Sequence, residues 1–253
     1  MRVVIPARYA STRFPGKVLK PIAGKPLLEH VYARAVSSGA DAVVIATDDQ
    51  RVVEAASRFG ADTILTSADH QSGTDRVAEV ARKRGWTDSA PIVNVQGDAP
   101  LIPPGSIRQA AALLEKHDTA HIATLCVDLA DTEQYHNRNI VKVVCDEAGR
   151  ALYFSRAAIP SDLHAASPDT GWSVARRHIG LYAYRASALE QLSSTEPCEL
   201  ERLEQLEQLR ALWLGMEIRV ELAAEQHGPD VDTEADLIRV EEILAADVTG
   251  PNG

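Results

Sequence analysis

The sequence contains little cysteine and no long apolar segment, and both shortages exclude classes of protein. Three cysteines occur among 253 residues, and they are too far apart in sequence to suggest a zinc site or a redox pair. We expect them to be small buried side chains in a reducing compartment. No apolar run approaches the ~20 residues that a membrane-spanning helix requires, so a membrane partner is not expected.

The amino terminus and the charge balance exclude two further classes. The apolar run from Met1 to Pro6 is too short for a secretory signal peptide, so we expect a cytoplasmic protein. The formal net charge is −10, and an acidic protein repels a polyphosphate backbone. Nucleic acid is therefore not expected as a partner, and any phosphate chemistry requires a local cluster of basic residues.

Apolar strand patterns alternate with helical patterns along the first 116 residues. Strands are predicted at 2–5, 42–46, 63–65 and 91–95, and helices at 26–37, 50–58, 72–84 and 105–116. This alternation predicts an α/β, Rossmann-like fold, with a mainly parallel sheet and helices on both faces. Shorter strands separated by turns predict an embedded antiparallel portion at about 120–190, followed by helices at 199–214 and 233–246. Without a repeat or a linker, residues 1–253 are expected to form a single domain.

The segment 6–17 follows the first strand and is rich in basic and hydroxyl side chains. Arg8, Arg13 and Lys17 lie there with two hydroxyls and one glycine. Ligands of parallel sheets bind at the carboxyl ends of the strands, so we favour a loop that binds a triphosphate over an ordinary solvated loop. The segment has neither the spacing of a P-loop nor the glycines of a dinucleotide-binding turn.

The same segment resembles the PARxxSTRxPGK signature of the CMP-sugar synthetases, and specifically of the CMP-Kdo synthetase family, which uses 3-deoxy-manno-octulosonate (Kdo). The resemblance continues through ATD at 46–48, DHQSGTDR at 69–76, VNVQGD at 93–98, VKVV at 141–144, LYFSR at 152–156, RHIGLY at 177–182, LEQLR at 206–210 and VDT at 231–233. It covers nearly the whole chain. It implies a Mg²⁺-dependent cytidylyltransferase that joins CTP to the anomeric hydroxyl of Kdo and releases pyrophosphate. It also implies a homodimer built partly from the antiparallel portion.

Two aspartates are the candidate metal ligands. Asp98 directly follows a buried strand, where a carboxylate can supply the oxygen ligand that Mg²⁺ prefers, although a single Asp after a strand is more often a cap or turn residue. The resemblance makes Asp98 the main magnesium ligand and Asp232 the second. Asp232 has a competing interpretation, because it could simply cap the last helix.

The resemblance also defines a nucleotide-binding set. Two of its members, Lys17 and Arg13, are candidate catalytic residues, and Asp98 is the third catalytic candidate. Ser72 and Arg76 are assigned to the cytosine, because the start of a helix beside a base can present hydroxyl and guanidinium groups to its polar edge. The nucleotide-binding set is Ala7, Arg8, Arg13, Lys17, Ser72, Arg76 and Gln96.

Arg156, His178 and Tyr182 are the candidates for the sugar side. His178 and Tyr182 lie four residues apart, so they face the same side of a regular strand, and an arginine suits a bidentate grip on a carboxylate. Each of them alone is more often an ordinary core residue. The resemblance places the acidic sugar here, with Gln96 and Glu207 nearby.

The expected reaction is direct attack of the sugar hydroxyl on the α-phosphorus of CTP, with Lys17 balancing the developing charge. The sequence shows no obvious separate general base. Three other functions remain open: a nucleotidyltransferase with another base or sugar, a dinucleotide-dependent oxidoreductase, and a non-catalytic nucleotide sensor. The oxidoreductase lacks its glycine-rich turn, and a sensor would be expected to lose the carboxylates.

Three positions depart from the pattern of the family. Ala99 replaces a usual glutamate after Gln96-Gly97-Asp98, Arg138 stands within an Asn-x-Asn segment that usually contains proline, and Ser161 replaces a usual tryptophan. The changes either reflect drift or indicate a different or modified ulosonic acid as the acceptor. A more positive local field would favour a more anionic sugar.

Overall fold

The computed structural model describes residues 1–10, 14–161 and 171–249 of the chain. Arg13, a candidate catalytic and nucleotide-binding residue, lies outside the described residues. The strands are β1 Arg2–Pro6, β2 Pro21–Ile22, β3 Lys25–Pro26, β4 Ala42–Thr47, β5 Asp62–Leu65, β6 Ile92–Asn94, β7 Ile122–Asp128, β8 Lys142–Cys145, β9 Ala151–Ser155, β10 Arg176–Tyr184 and β11 Ile218–Leu222. The helices are α1 Leu27–Ser37, α2 Gln50–Arg58, α3 Gly73–Lys83, α4 Pro104–Lys116, α5 Thr132–His136, α6 Ala186–Ser193, α7 Glu199–Glu204, α8 Gln208–Trp213 and α9 Glu234–Thr249.

One large mixed sheet organises the described part of the chain. Its strand order is β11-β7-β10-β6-β1-β4-β5, and β8 pairs with β10 while β9 pairs with β8. The strands β6, β1, β4 and β5 run parallel, as do β7 and β11. The strand β10 is antiparallel to both β6 and β7. The predicted α/β fold is confirmed, and its antiparallel portion continues the main sheet.

Helices cover both faces of this sheet because successive side chains of a strand point to opposite sides. In β1, Val3 and Ile5 pack into the apolar cluster that contains residues of α1 and α4. Val4, between them, packs into the cluster that contains residues of α3 and α6. All three side chains are fully buried. A strand buried on both faces has an uninterrupted run of apolar residues. This run is the signal that predicts β1 from the sequence.

Several elements differ from the sequence-based expectation. The helix predicted at 199–214 is interrupted, because Gln205 adopts a left-handed backbone conformation with φ of 54° and separates α7 from α8. The residue pattern did not predict the helices α5 and α6 or the strand β11. The strand β11 pairs with β7 at the edge of the sheet. No helix in the described ranges is both long enough and apolar enough to cross a membrane.

Candidate active site

Three loops meet at the carboxyl edge of the parallel strands, and glycine permits their close approach. A β-carbon on Gly97 would lie 2.7 Å from the carbonyl oxygen of Pro6, well inside van der Waals contact. A β-carbon on Gly73, the first residue of α3, would lie 3.3 Å from the Pro6 ring. The amide of Val231 donates a 2.8 Å hydrogen bond to the Asp98 carbonyl. The loops after β1 and β6, the start of α3 and the segment before α9 therefore border one site.

Lys17 lies at the centre of this convergence. Its Nζ donates to Asp98 Oδ2 at 2.7 Å, to the Val231 carbonyl at 3.0 Å and to Asp232 Oδ1 at 3.1 Å. Only 11% of its side chain is exposed. Burial alone would lower the pKa of Lys17, but the two carboxylates outweigh it and hold the pKa above its ordinary value. The structure therefore keeps a charged ammonium between Asp98 and Asp232.

The geometry of Asp98 and Asp232 is compatible with a shared metal ion. Their oxygens already converge on one cationic atom, which shows that both carboxylates can face a common point. Magnesium usually takes one or two protein carboxylates and completes its shell with water and phosphate oxygens. Within the described residues no group of three or more His, Cys, Asp or Glu side chains could hold a metal. The pair Asp98 and Asp232 fits such a partly open magnesium site.

A third carboxylate, which the sequence analysis did not select, borders this pair. Asp230 remains open to solvent on one side, yet desolvation within its loop and repulsion from Asp98 and Asp232 raise its pKa to about 7. Lys17 and Arg177 oppose that shift. The loop before α9 therefore brings a third carboxyl group to the site, and its neutral form is favoured below about pH 7.

The remaining residues of the first loop have distinct placements. Ala7 is fully buried, and its amide donates to the Ala46 carbonyl at 2.8 Å, so its N–H is not free for a phosphate. Arg8 reaches across the site and donates to the carbonyl of Gln71. Arg8 thus ties the loop after β1 to the segment that precedes α3.

Ser72 caps α3 and borders the Glu207 carboxylate. The Ser72 hydroxyl accepts from the Asp75 amide at 3.1 Å, and the Asp75 side chain accepts from the Ser72 amide at 3.2 Å, which is a capping box. Thr74 Oγ1 donates to Glu207 Oε2 at 2.6 Å, and burial raises the pKa of Glu207. A cavity of about 630 Å³ opens here, with Gln71, Ser72 and Glu207 in its lining.

The structure places Arg76 differently from the sequence-based expectation. Its side chain is 1% exposed, and its guanidinium donates to Thr66 Oγ1 at 2.7 Å, to the Ser67 carbonyl at 3.1 Å and to the carboxylate of Asp48. A cytosine therefore has no direct access to this guanidinium in the described arrangement. Arg76 instead ties the ends of β4 and β5 together behind α3, and any direct contact with the base stays a prediction.

His178 and Tyr182 face the same side, as predicted, although β10 is not regular between them. The register of β10 against β7 shifts between Ile179 and Tyr182, yet the two rings lie 5.2 Å apart between centroids. Thr124 Oγ1 donates to the Leu181 carbonyl at 2.7 Å, so its single proton is used and it accepts from His178 Nε2 at 3.0 Å. This assigns the proton of a neutral His178 to Nε2.

Arg156 is already held by backbone carbonyls. Its Nε donates to the Glu204 carbonyl at 2.8 Å, Nη1 to the Arg138 carbonyl at 3.1 Å and Nη2 to the Gln205 carbonyl at 3.4 Å. Its amide donates to Glu204 Oε2 at 2.9 Å. Glu204 was not selected from the sequence, because its role depends on the turn at Gln205. Among the described residues, three of the five guanidinium N–H groups have partners, which leaves two for a ligand.

The sugar-side and nucleotide-side candidates are neighbours in space. A second cavity, of about 100 Å³, is lined by Gln96 from the loop after β6 and by His178 from β10. Ala99 and Asp230 also line it. Gln96 from the nucleotide-side set and His178 from the sugar-side set therefore border the same cavity. Arg76 is buried apart from it, and Arg13 is not described.

Comparison with known proteins extends over nearly the whole chain. A family model described as cytidylyltransferase matches residues 2–218. The 3-deoxy-manno-octulosonate cytidylyltransferase of Thioalkalivibrio sulfidiphilus (strain HL-EbGR7) is 50% identical over 247 residues, which are 97% of this chain and 99% of that protein. The protein of the same name from Pseudomonas syringae pv. tomato is 54% identical over 248 residues, or 96% of this chain and 98% of its own. A solved structure of CMP:2-keto-3-deoxy-manno-octonic acid synthetase complexed with CTP has a TM-score of 0.88 and 39% identity, and covers 97% of this chain and 98% of that one.

The buried histidine gives a first prediction. Burial lowers the pKa of His178 from 6.5 to about 3, so the folded protein keeps the imidazole neutral while the unfolded chain takes up a proton near pH 6.5. The free energy of unfolding should therefore fall as the pH drops from about 6.5 towards 3, and this contribution is fully present above 6.5. Nitrogen NMR of the imidazole across this range should show a neutral ring with the proton on Nε2. Protonation of His178 near pH 6 in the folded protein would contradict the assignment.

Proposed function

The chain belongs to the 3-deoxy-manno-octulosonate cytidylyltransferase family, and we propose that it transfers CMP from CTP to the anomeric hydroxyl of Kdo with release of pyrophosphate. The observation that carries the proposal is the ammonium of Lys17 between Asp98 and Asp232, at the carboxyl edge of a parallel sheet. It provides a cation and two oxygen ligands where a triphosphate would bind. The full-length similarity to proteins named for this activity supports the same acceptor.

In the proposed reaction, the oxygen of the anomeric hydroxyl attacks the α-phosphorus of CTP. A new bond forms between that oxygen and phosphorus, while the bond to the bridging oxygen of the β-phosphate breaks and pyrophosphate leaves. Phosphoryl transfer of this kind depends mainly on positioning and on neutralisation of charge. Lys17 supplies positive charge to the phosphates, and Arg8, which reaches from the loop after β1 to the segment before α3, borders the nucleotide side.

The proposed cofactor is Mg²⁺, held by Asp98 and Asp232. When bound, it would neutralise phosphate charge and favour ionisation of the attacking hydroxyl. Asp98 is fixed for this purpose by the glycine-dependent approach of its loop to Pro6 and by the Val231 amide on its carbonyl. Both contacts fix the backbone of Asp98 before any ligand arrives, and Lys17 orients its carboxylate.

The acceptor is proposed to bind between β10, the end of β9 and Glu207. Arg156 offers two remaining N–H groups to the sugar carboxylate, and the neutral His178 and Tyr182 offer a rigid polar wall to its hydroxyls. The family departures fit Kdo as the acceptor. Arg138 reaches Arg156 through its backbone carbonyl, which any residue could supply, and Ser161 is exposed. Only Ala99 changes the lining of a cavity beside Gln96.

A homodimer is proposed as the assembly. The exposed apolar side chains Leu152, Leu203 and Trp213 are 60%, 75% and 62% exposed. They belong to β9, α7 and α8, which lie next to one another around the antiparallel portion. Burial of these side chains against a second copy would remove apolar surface from water, which supports the proposal.

The function is tested by measuring pyrophosphate release from CTP. Release should require Kdo, and competition at fixed CTP should favour Kdo over its 8-amino analogue and over other ulosonic acids in kcat/KM. The amino analogue carries an added positive charge, which the cationic side chains of the acceptor pocket disfavour. Preference for another ulosonic acid would leave the cytidylyltransferase activity in place and overturn Kdo as the acceptor. No release with any acid would overturn both.

Replacing Lys17 should remove catalysis without unfolding the protein. Lys17→Met keeps the length of the side chain but removes the charge from the phosphates, and loss of such a group costs roughly 10²-fold or more in kcat. The matched control is Lys25→Met, since Lys25 begins the short strand β3 and its side chain is 60% exposed. Circular dichroism establishes folding in both variants. Parental kcat in folded Lys17→Met would exclude Lys17 from the reaction.

The two aspartates should differ in their response to magnesium. Asp98→Asn should abolish both activity and its magnesium dependence, whereas Asp232→Asn should chiefly raise the magnesium concentration required, because a neutral amide is a poor ligand for this ion. Binding of Mn²⁺, followed by electron paramagnetic resonance in the presence of CTP, reports on the site independently of turnover. Metal titrations that match the parent in both variants would contradict the proposal that Asp98 and Asp232 bind the metal, and would leave them a purely structural role.

A further inference from the structure

Lys142 is fully buried and is held by backbone carbonyls. Its Nζ donates to the carbonyl of Ile140 at 2.6 Å, to that of Arg156 at 2.8 Å and to that of Asn137 at 2.9 Å. These acceptors belong to the loop before β8 and to the residue that follows β9. All three N–H groups of the ammonium are therefore used to hold two separate segments together.

Burying the charged ammonium of Lys142 costs free energy, which points to a specific role for the residue. A buried ammonium loses its hydration, and buried lysines are normally paired with a carboxylate. Within the described residues, Lys142 has no carboxylate within hydrogen-bonding or ion-pair distance. Desolvation lowers its pKa, the nearby Arg156 lowers it further, and Glu204 opposes the shift. A methionine would avoid this desolvation but would leave the three carbonyls without their donor, so the ammonium matters through the two segments that it joins.

The contacts of Lys142 all lead to the sugar side of the site. The strand β8 lies between β9 and β10, where Lys142 is in register with Ser155 and with Arg177. The carbonyl of Val141 accepts from the His178 amide at 2.8 Å. Arg156, whose carbonyl Lys142 holds, donates in turn to the carbonyl of Arg138 in the same loop. Arg156 is thus linked to the loop 137–140 twice, through its own guanidinium and through the ammonium of Lys142.

We propose that Lys142 is a positioning residue for the acceptor: its ammonium locks the backbone at Arg156 to the loop 137–140, so that the free guanidinium N–H groups of Arg156 face the sugar carboxylate. Lys142 touches neither substrate and acts through Arg156. In the described part of the chain, the two adjacent cations also outnumber the single neighbouring carboxylate, that of Glu204, and their positive charge attracts an acid. The inference rests on the proposed function, since it concerns the acceptor of that reaction.

The test separates positioning from general stabilisation. Lys142→Met removes the charge at equal length, Lys142→Arg restores it, and Val143→Ala damages the packing of the same strand at a neighbouring residue that is 1% exposed. The measurements are KM for Kdo, KM for CTP, kcat and the melting temperature. Loss of a hydrogen bond from a charged group predicts that Lys142→Met raises KM for Kdo roughly tenfold or more. KM for CTP and kcat should stay within about twofold, because these interactions lie elsewhere.

Lys142→Arg should recover part of the affinity for Kdo, and Val143→Ala should lower the melting temperature without a selective change in KM for Kdo. An unchanged KM for Kdo in Lys142→Met would overturn the proposal. So would equal increases in KM for both substrates that parallel those of Val143→Ala. Should Lys142→Met fail to fold, Lys142→Gln is judged by the same criteria. Inactivity of the parent enzyme with Kdo would instead refute the proposed function, and with it the inference.

Discussion

The ammonium of Lys17, held between Asp98 and Asp232, is the interaction on which the site depends. Two carboxylates that face one point in a partly buried site repel each other unless a cation lies between them. Lys17 removes this repulsion, and the carboxylates in turn keep the lysine charged despite its burial. The pair of carboxylates therefore maintains Lys17 in the charged form that can neutralise phosphate.

This interaction depends on backbone geometry that is set some distance away. Lys17 follows Gly16, which has a φ of 69° and whose amide donates to the Tyr9 carbonyl at 2.8 Å. That turn brings the lysine back towards the sheet. The aspartates arrive from opposite parts of the sequence, and Gly97 lets the loop of Asp98 pack against Pro6. The charges meet because glycine permits a left-handed turn at one position and a close backbone contact at the other.

The sequence predicted the parts of this architecture that are local. The apolar run at Val3 to Ile5 and the basic loop after it could be identified from residue type and periodicity, since both depend on neighbours in the chain. The burial of Arg76 could not, because its partners Asp48 and Thr66 end two other strands. The break at Gln205 also escaped detection, because the apolar pattern continues across it while the backbone does not. The pairing of β11 with β7 joins residues about a hundred positions apart.

The two sides of the site handle charge by opposite means. On the nucleotide side, charged groups neutralise one another directly, as Lys17 does with Asp98 and Asp232. On the sugar side, Arg156 and Lys142 are held by carbonyl dipoles, while burial keeps His178 neutral. Carbonyls fix a cation in place without cancelling its charge, so the charge of Arg156 stays available to an acidic ligand. A phosphate-transfer site next to a rigid, positive acceptor pocket can thus bind an anionic sugar beside a triphosphate, although the protein as a whole is acidic.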